Sequence, residues 1–454
     1  MVLNRKSIRY FYWMSSAFFR KNIQLILLSF LAGVIGIITV VSISPFFVKA
    51  ITTQKHIVGI AGNYDYNNLP EPILSKITNS LVYVNEKGEI IPLLAQSWEQ
   101  LDGGKEYRFY LKKNLTWGDG KDFTSKDLSY NFKDIKVETP DSNIIVFKLK
   151  KPLPVFPTYL TEYVVKYPLQ GVAGLYNVER MKTKYGYLTE LTLTPNRSGY
   201  PIYIYKFYDN ETKLINAYKL GEITEMVTTK KNIAELFSGW KNTKIEKKID
   251  YTQLLTLFFN MNNPLLQEKD VRKAIAMSVP KDILKEQGEE AFGPIPPISW
   301  AYNPDLKATQ YNPDLAKSLF EKYNDKGKKV KLNLSTFYDY LSTADAIKSS
   351  LGEIGIDADV NVYTAANTGG FDMLLAYWKV PQDPDQYFYW HSTQDQGNIS
   401  KYKNVKVDKL LEDGRSTLDT KKRKEFYLSF QRTVNDDLPA YFLYYPYVYT
   451  ISRK

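Results

Sequence analysis

Between Asn22 and Val48 the chain has no ionisable side chain, and the run includes IQLILLSFLAGVIGIITVVSI. A helix of about 20 apolar residues crosses ~30 Å of hydrocarbon, so this stretch is long enough to span a membrane. Arg5, Lys6, Arg9, Arg20 and Lys21 precede it, and the first 50 positions contain no acid. The positive-inside rule then predicts a cytoplasmic basic segment at 1–21 and a transmembrane anchor or signal segment at 22–48, with everything beyond exported. The expected localisation is the cell membrane, single-pass, with the C-terminal part extracellular or periplasmic. Two fates stay open for the run. Val48-Lys49-Ala50 has the small residues of a cleavage site, but the run exceeds the about 7–15 apolar residues of a signal core, so an uncleaved signal-anchor is the expectation.

The rest of the 454 residues reads as globular. With 44% apolar and 15% aromatic residues there is material for more than one lobe, because single cores stop growing at roughly 250–300 residues. The net charge of +11 does not point to nucleic acid, since Arg5, Lys6, Arg9, Arg20, Lys21 and Lys49 supply six of those charges. No cysteine is present to form a disulfide or carry a lipid. Catalysis has little to work with. The imidazoles are His56 and His391, and neither a G-x-S-x-G elbow nor a G-x-x-x-x-G-K-[ST] phosphate loop occurs. No catalytic residue, metal set or cofactor is expected, because two histidines so far apart make a poor ligand pair.

The segment from Gly88 to Phe132 reads GEIIPLLAQSWEQLDGGKEYRFYLKKNLTWGDGKDFTSKDLSYNF. An apolar segment at Ile90 to Trp98 is followed by alternation at Tyr107, Phe109 and Leu111, the period-2 mark of a half-buried strand. Thr124, three residues before Asp127 and ahead of Leu128, Tyr130 and Phe132, predicts a capped helix. This segment resembles the signature of the family 5 extracellular solute-binding proteins, the oligopeptide, dipeptide and nickel receptors of ABC importers. Gly88, Pro92, Leu94-Ala95, Ser97-Trp98-Glu99, Tyr107, Phe109, Leu111, Asp119-Gly120 and Asp127 stand at its motif positions. Later blocks follow in the same order, among them Gly171 to Tyr176, Leu193 to Asn196, Leu257 to Asn260 and Asn398. The resemblance covers about Ile57 to Ser452.

It implies an α/β, two-lobe periplasmic-binding-protein-like fold of the type II, large peptide-binding class, behind an N-terminal transmembrane helix. Lobe I is expected at 55–257, lobe II at 258–424, and a C-terminal return to lobe I at 425–454. Residue patterns agree with this. Asn312-Pro313 opens a helix, Val330 to Leu334 and Val360 to Tyr363 flank the Thr343 to Ile354 helix as a βαβ unit, and Asp419 or Thr420 caps a last long helix. Asp270, Arg272 and Lys273 read as cap and surface.

The function expected from the resemblance is capture of a peptide or other extended small solute between the lobes, passed as a monomer to ABC permease subunits. A ligand-binding sensor or peptide-holding chaperone is the alternative, and a surface hydrolase using Asp383 with another carboxylate is the third reading. The candidate ligand-binding residues are Tyr64, Tyr66, Tyr377, Trp378, Asp383 and Asn398. Rings hold extended ligands well, although each ring could instead simply pack. Asp383-Pro384-Asp385 could equally cap a short helix. Peptide-binding relatives pair the ligand's α-ammonium with an aspartate just upstream, where this chain has Val380.

Overall fold

The computed structural model describes all residues except 1–4, 53, 86, 133, 281–283, 324–329 and 365–369, with the side chains of 5–8 and 43–52 also outside the description. The Glu86-Lys87-Gly88-Glu89 sequence predicts a turn leading into the apolar segment at Ile90, and Glu86 lies outside the described residues. The chain divides into two units, Met1–His56 with Arg197–Ile202, and Ile57–Asn196 with Tyr203–Lys454.

The first unit is built on one long helix, Arg5–Thr52, interrupted at Asn22, whose φ of −114° and ψ of 18° leave the helical region. Within Arg9–Ser42 an 18-residue stretch reaches a mean hydropathy of 2.6, and none of its residues is buried in protein. That is what a lipid-facing helix requires, and a signal sequence passes the same test.

The second unit contains two lobes that share one extended sheet. In the first lobe, the strand Lys55–Ala61 pairs in parallel with Glu225–Thr228, and outward from it lie Ile202–Tyr208, Tyr187–Pro195 and Tyr176–Lys184. A separate antiparallel sheet of Ala95–Leu101, Glu106–Leu111, Ile144–Leu149 and Ile135–Asp141 encloses Tyr107, Phe109, Phe147 and Phe156 in their own core. Alternation along 106–111 sinks Tyr107, Phe109 and Leu111 and leaves their neighbours half-exposed, as a period of two demands.

In the second lobe, Val330–Thr336 lies between Ile356–Val362 and Met373–Lys379, all parallel, and Gln253–Phe259 joins antiparallel at Met373–Lys379. The helix Leu341–Glu353 makes the βαβ crossover and buries Ala344, Ile347 and Leu351. One strand stitches the lobes together. Ala440–Arg453 pairs with Gln253–Phe259 through residues 440–444, then with Thr243–Ile249 and Glu225–Thr228 through residues 447–453.

Three expectations are corrected. The capping box at Thr124 and Asp127 forms, but only one 3-10 turn follows, and Leu128 is already extended. Leu128, Tyr130 and Phe132 recur every second residue, and an extended chain lays all three against the Phe147 core. The return to lobe I does not begin at 425. The helix Thr420–Asp437 buries Tyr427, Phe430 and Val434 in the core that holds Trp378 and Trp390, and the chain crosses between the lobes only at residues 445–447. Similarly, residues 253–257 pair within the second lobe's sheet. Arg272 is not on the surface. It is 4% exposed, and its guanidinium donates to the carbonyls of Leu266, Gln267, Asp437 and Leu438. Those residues lie at the C-terminal ends of two helices, Pro264–Gln267 and Thr420–Asp437, where carbonyls have no partner within the helix.

The Asp419 cap forms as expected, its carboxylate accepting from Lys421 N at 2.9 Å and Lys422 N at 3.2 Å. Asp419→Ala should lower the unfolding free energy by about 1 kcal/mol, measured by urea denaturation of the intact protein.

Candidate functional site

Strand direction locates the crevice. Val330–Thr336, Ile356–Val362 and Met373–Lys379 are parallel, so Phe337, Tyr363 and Val380 leave them at one edge. Gln253 lies opposite Lys379 at that edge, and residues 445–447 run out of it into the first lobe. In the first lobe, Lys55–Ala61 and Glu225–Thr228 are also parallel, and Thr228 lies opposite Tyr449, towards the crossing. The carboxyl edges of both sheets therefore face one seam, spanned by residues 249–253 and 445–447. A crevice outside the carboxyl ends of parallel strands is where open α/β sheets bind ligands.

Aromatic side chains crowd this seam. Phe337 and Tyr338 are 44% and 78% exposed, and Phe337 meets the Tyr363 ring edge-on at 5.8 Å. Where the chain crosses, Tyr251, in the turn after Thr243–Ile249, packs on Tyr445 at 5.2 Å and donates to Glu289 at 2.9 Å. Burial, together with that carboxylate, pushes the Tyr251 phenol up to about 12. The Tyr251 hydroxyl thus stays a protonated donor, as its bond to the Glu289 carboxylate requires.

Two contacts join the lobes beside the seam. Tyr159, from the first lobe, donates to the Asp385 carboxylate and accepts from Arg415, and Arg415 pairs with Asp385 at 3.1 Å. Burial and the Asp385 charge push the Tyr159 phenol well above its ordinary value. The Arg415 guanidinium also lies over the Tyr387 ring at 3.8 Å. The second contact is steric. A Cβ at Gly88 would come within 2.1 Å of Trp300 Nε1, so the turn passes directly against that indole, and its φ of +77° independently favours glycine.

The six sequence-predicted residues scatter about this seam. Tyr64 is half-buried in the first lobe's core, its ring 5.4 Å from Phe207, and Tyr66 meets the exposed Tyr167 ring at 5.0 Å. Tyr377 and Trp378 point to opposite faces of their strand. Tyr377 packs between Tyr340 and Tyr444, whereas Trp378 is 6% exposed and donates to Thr256 Oγ1 at 3.1 Å.

Asp383 does not reach the seam with a free carboxylate. It is buried and receives both terminal nitrogens of Arg423, at 2.7 and 3.2 Å, while also accepting from Asp385 N at 3.0 Å. Locally the Asp-Pro-Asp motif makes turns rather than the helix cap the sequence offered: Asp385 in turn accepts from Tyr387 N, and the short helix Tyr387–Trp390 has Gln386 at its N-cap with no side-chain cap bond. Asn398 is likewise internal, accepting from Tyr402 N at 3.0 Å and donating to Tyr402 O at 2.8 Å. Val380 is 4% exposed, and its N–H bonds Thr252 O.

Tyr159, Arg415, Arg423, Trp300 and Tyr338 were not singled out from sequence. Arg423 had a readable signal, since it stands four residues before Tyr427 on the apolar stripe of its helix. Tyr159 and Arg415 had none, because their partners lie in other lobes or helices.

Comparison with known proteins agrees with this architecture. A probable D,D-dipeptide-binding periplasmic protein of Escherichia coli is 27% identical over 77% of this chain and 78% of its own length. The oligopeptide-binding protein AppA of Bacillus subtilis, solved with a nonapeptide, superposes with a TM-score of 0.71 at 22% identity, covering 88% of this chain and 95% of that one. NikZ of Campylobacter jejuni, solved with Ni(L-His), gives 0.72 at 22% identity, covering 88% and 94%. The first two of these are named as binding proteins. The model of the bacterial extracellular solute-binding proteins, family 5, matches residues 89–191 and 203–399, and with two lobes meeting at a seam of carboxyl edges, this chain is a member of that family.

Proposed function

We propose that this protein is the membrane-tethered receptor of an ABC importer, a monomer that closes its lobes over a peptide or similarly extended solute and presents it to permease subunits. The observation that carries the reading is the seam itself, where two carboxyl edges, two crossing segments and exposed rings converge. Closure follows only if the solute has more affinity for the closed form, so it must touch both lobes. Relatives named for dipeptides and oligopeptides support the solute class. A free peptide N-terminus finds no charge at Val380 or Asp383, so recognition rests on rings, hydroxyls and backbone. On this reading the helix at 22–48 holds the receptor at the outer membrane face.

Native mass spectrometry of the detergent-extracted protein tests this directly. A co-purifying peptide-like mass, displaced by synthetic peptides in calorimetry, is expected, and failure of diverse peptide libraries to bind would overturn the solute class. Tyr338→Ala should weaken binding roughly fivefold, from loss of about 1 kcal/mol of ring contact, with the melting temperature unchanged. Unaltered affinity would remove Tyr338 from the site.

A further inference from the structure

The edge of the first lobe opposite the seam has a composition that the solute site does not use. Ile57 N donates to Thr224 Oγ1 at 3.0 Å, Arg453 N to Thr224 O at 2.9 Å, and Lys454 N to Asn242 O at 2.8 Å. Ile57, Thr224, Arg453 and Asn242 thus form one row along this edge. Against it stand Trp240, Leu236 and Leu220, exposed by 40, 55 and 76%. They do not hang loose. Trp240 rests on Phe237 at 5.1 Å, and Phe237 on Tyr218 at 5.0 Å. Arg453 is pinned over Tyr218 and donates to its carbonyl.

Around these rings lie the exposed side chains of Lys219, Lys241 and Lys454, which have no acidic partner among the described residues. Glu222 and Glu235 are exposed acids beside them, Glu235 pairing with Lys231 at 3.4 Å, and Lys244 is matched by Glu246. Exposed tryptophan and leucine beside unpaired lysines is the composition of a membrane–water interface.

We propose that this edge lies against the anionic headgroups of the membrane that the N-terminal run enters. The inference rests on the tethered reading above. Chain length supplies the reason. The apolar run ends at Val48 and the strand row begins at Ile57, nine residues that span at most about 30 Å fully extended. A lobe of roughly 200 residues is about 40 Å across. The tether is therefore too short to bring the far side of the lobe to the lipid, while the Ile57 edge is always within reach. Held there, the seam opens away from the bilayer.

The absence of cysteine allows a clean test in the full-length chain reconstituted in nanodiscs. Ser238→Cys, between Leu236 and Trp240, and Ser349→Cys, exposed on the second lobe's helix, each carry a fluorophore, and headgroup-spin-labelled lipid is the quencher. Quenching at 238 should exceed that at 349 several-fold with phosphatidylglycerol present. It should fall with added salt, and about fivefold per cation in Lys219→Glu and Lys241→Glu. Equal quenching at the two sites, or indifference to phosphatidylglycerol, would overturn the surface. Intact mass of the membrane-extracted protein separates the two readings. A chain lacking its first 50 residues would overturn the tether and the surface together, whereas a full-length chain with equal quenching would overturn the surface alone.

Discussion

Arg423→Met is expected to lower the unfolding free energy by about 3–5 kcal/mol, the cost of leaving a buried carboxylate without its cation. Asp383 and Arg423 are each 6% exposed, so water cannot replace the lost partner. The bidentate pairing at 2.7 and 3.2 Å is supplemented by Arg423 Nε donating to Gly414 O at 3.0 Å and by the Tyr427 hydroxyl at 3.2 Å. The pair ties the loop after Met373–Lys379 to the helix Thr420–Asp437, so the damage should spread to the second lobe's aromatic core. The double variant Arg423→Met, Asp383→Asn removes both charges and keeps an acceptor for Asp385 N. It should regain most of the loss, because an isosteric neutral pair avoids the desolvation penalty. Urea denaturation of the three proteins decides it. A single variant within 1 kcal/mol of the parent, or a double variant worse than the single, would contradict the assignment.

Tyr159→Phe should weaken solute binding roughly ten- to hundredfold while leaving the fold intact. Its hydroxyl is the group that reaches from the first lobe to the Asp385–Arg415 pair of the second. A hydrogen bond to a charged group contributes about 1.5–3 kcal/mol, and if it exists only with the lobes together, its loss falls wholly on the closed state. Asp385 keeps Arg415 as its partner at 3.1 Å, so no buried charge is stranded and the melting temperature should stay near that of the parent. Calorimetry gives the affinity, and small-angle scattering of the solute-free protein should show a larger radius for Tyr159→Phe. Affinity within twofold of the parent would mean the contact persists in the open form.

Much of the fold was readable because it is local. Alternation at Tyr107, Phe109 and Leu111, the Asn312 and Asp419 caps, and the βαβ pattern from 330 to 363 are each decided within a few residues, where side-chain period and backbone hydrogen bonding act. The family resemblance extended that reading to two lobes. Thr124 shows where local reading stops. Its capping box is intact, but the packing of Leu128, Tyr130 and Phe132 against a distant sheet outweighs a helix that the box alone cannot sustain.

The site was harder to read. Asp383 and Asn398 look like ligand groups because polar residues in loops usually meet water or solute. Burial turns them inward, since a polar group removed from solvent must find a partner within the protein. Trp378 lines the seam's neighbourhood but gives its N–H to Thr256, a choice made by which strand lies beside it.

By itself the sequence determined the apolar N-terminal run, the sign of its flanks, the strand and helix periods and the absence of thiols, all properties of neighbouring residues. Tertiary structure alone decided that Arg423 holds Asp383, that Tyr159 reaches Asp385 and Arg415, and where the chain crosses between lobes. Those pairs are 40, 226 and 256 residues apart, and at such separations only the packing of whole elements determines which charges and hydroxyls meet.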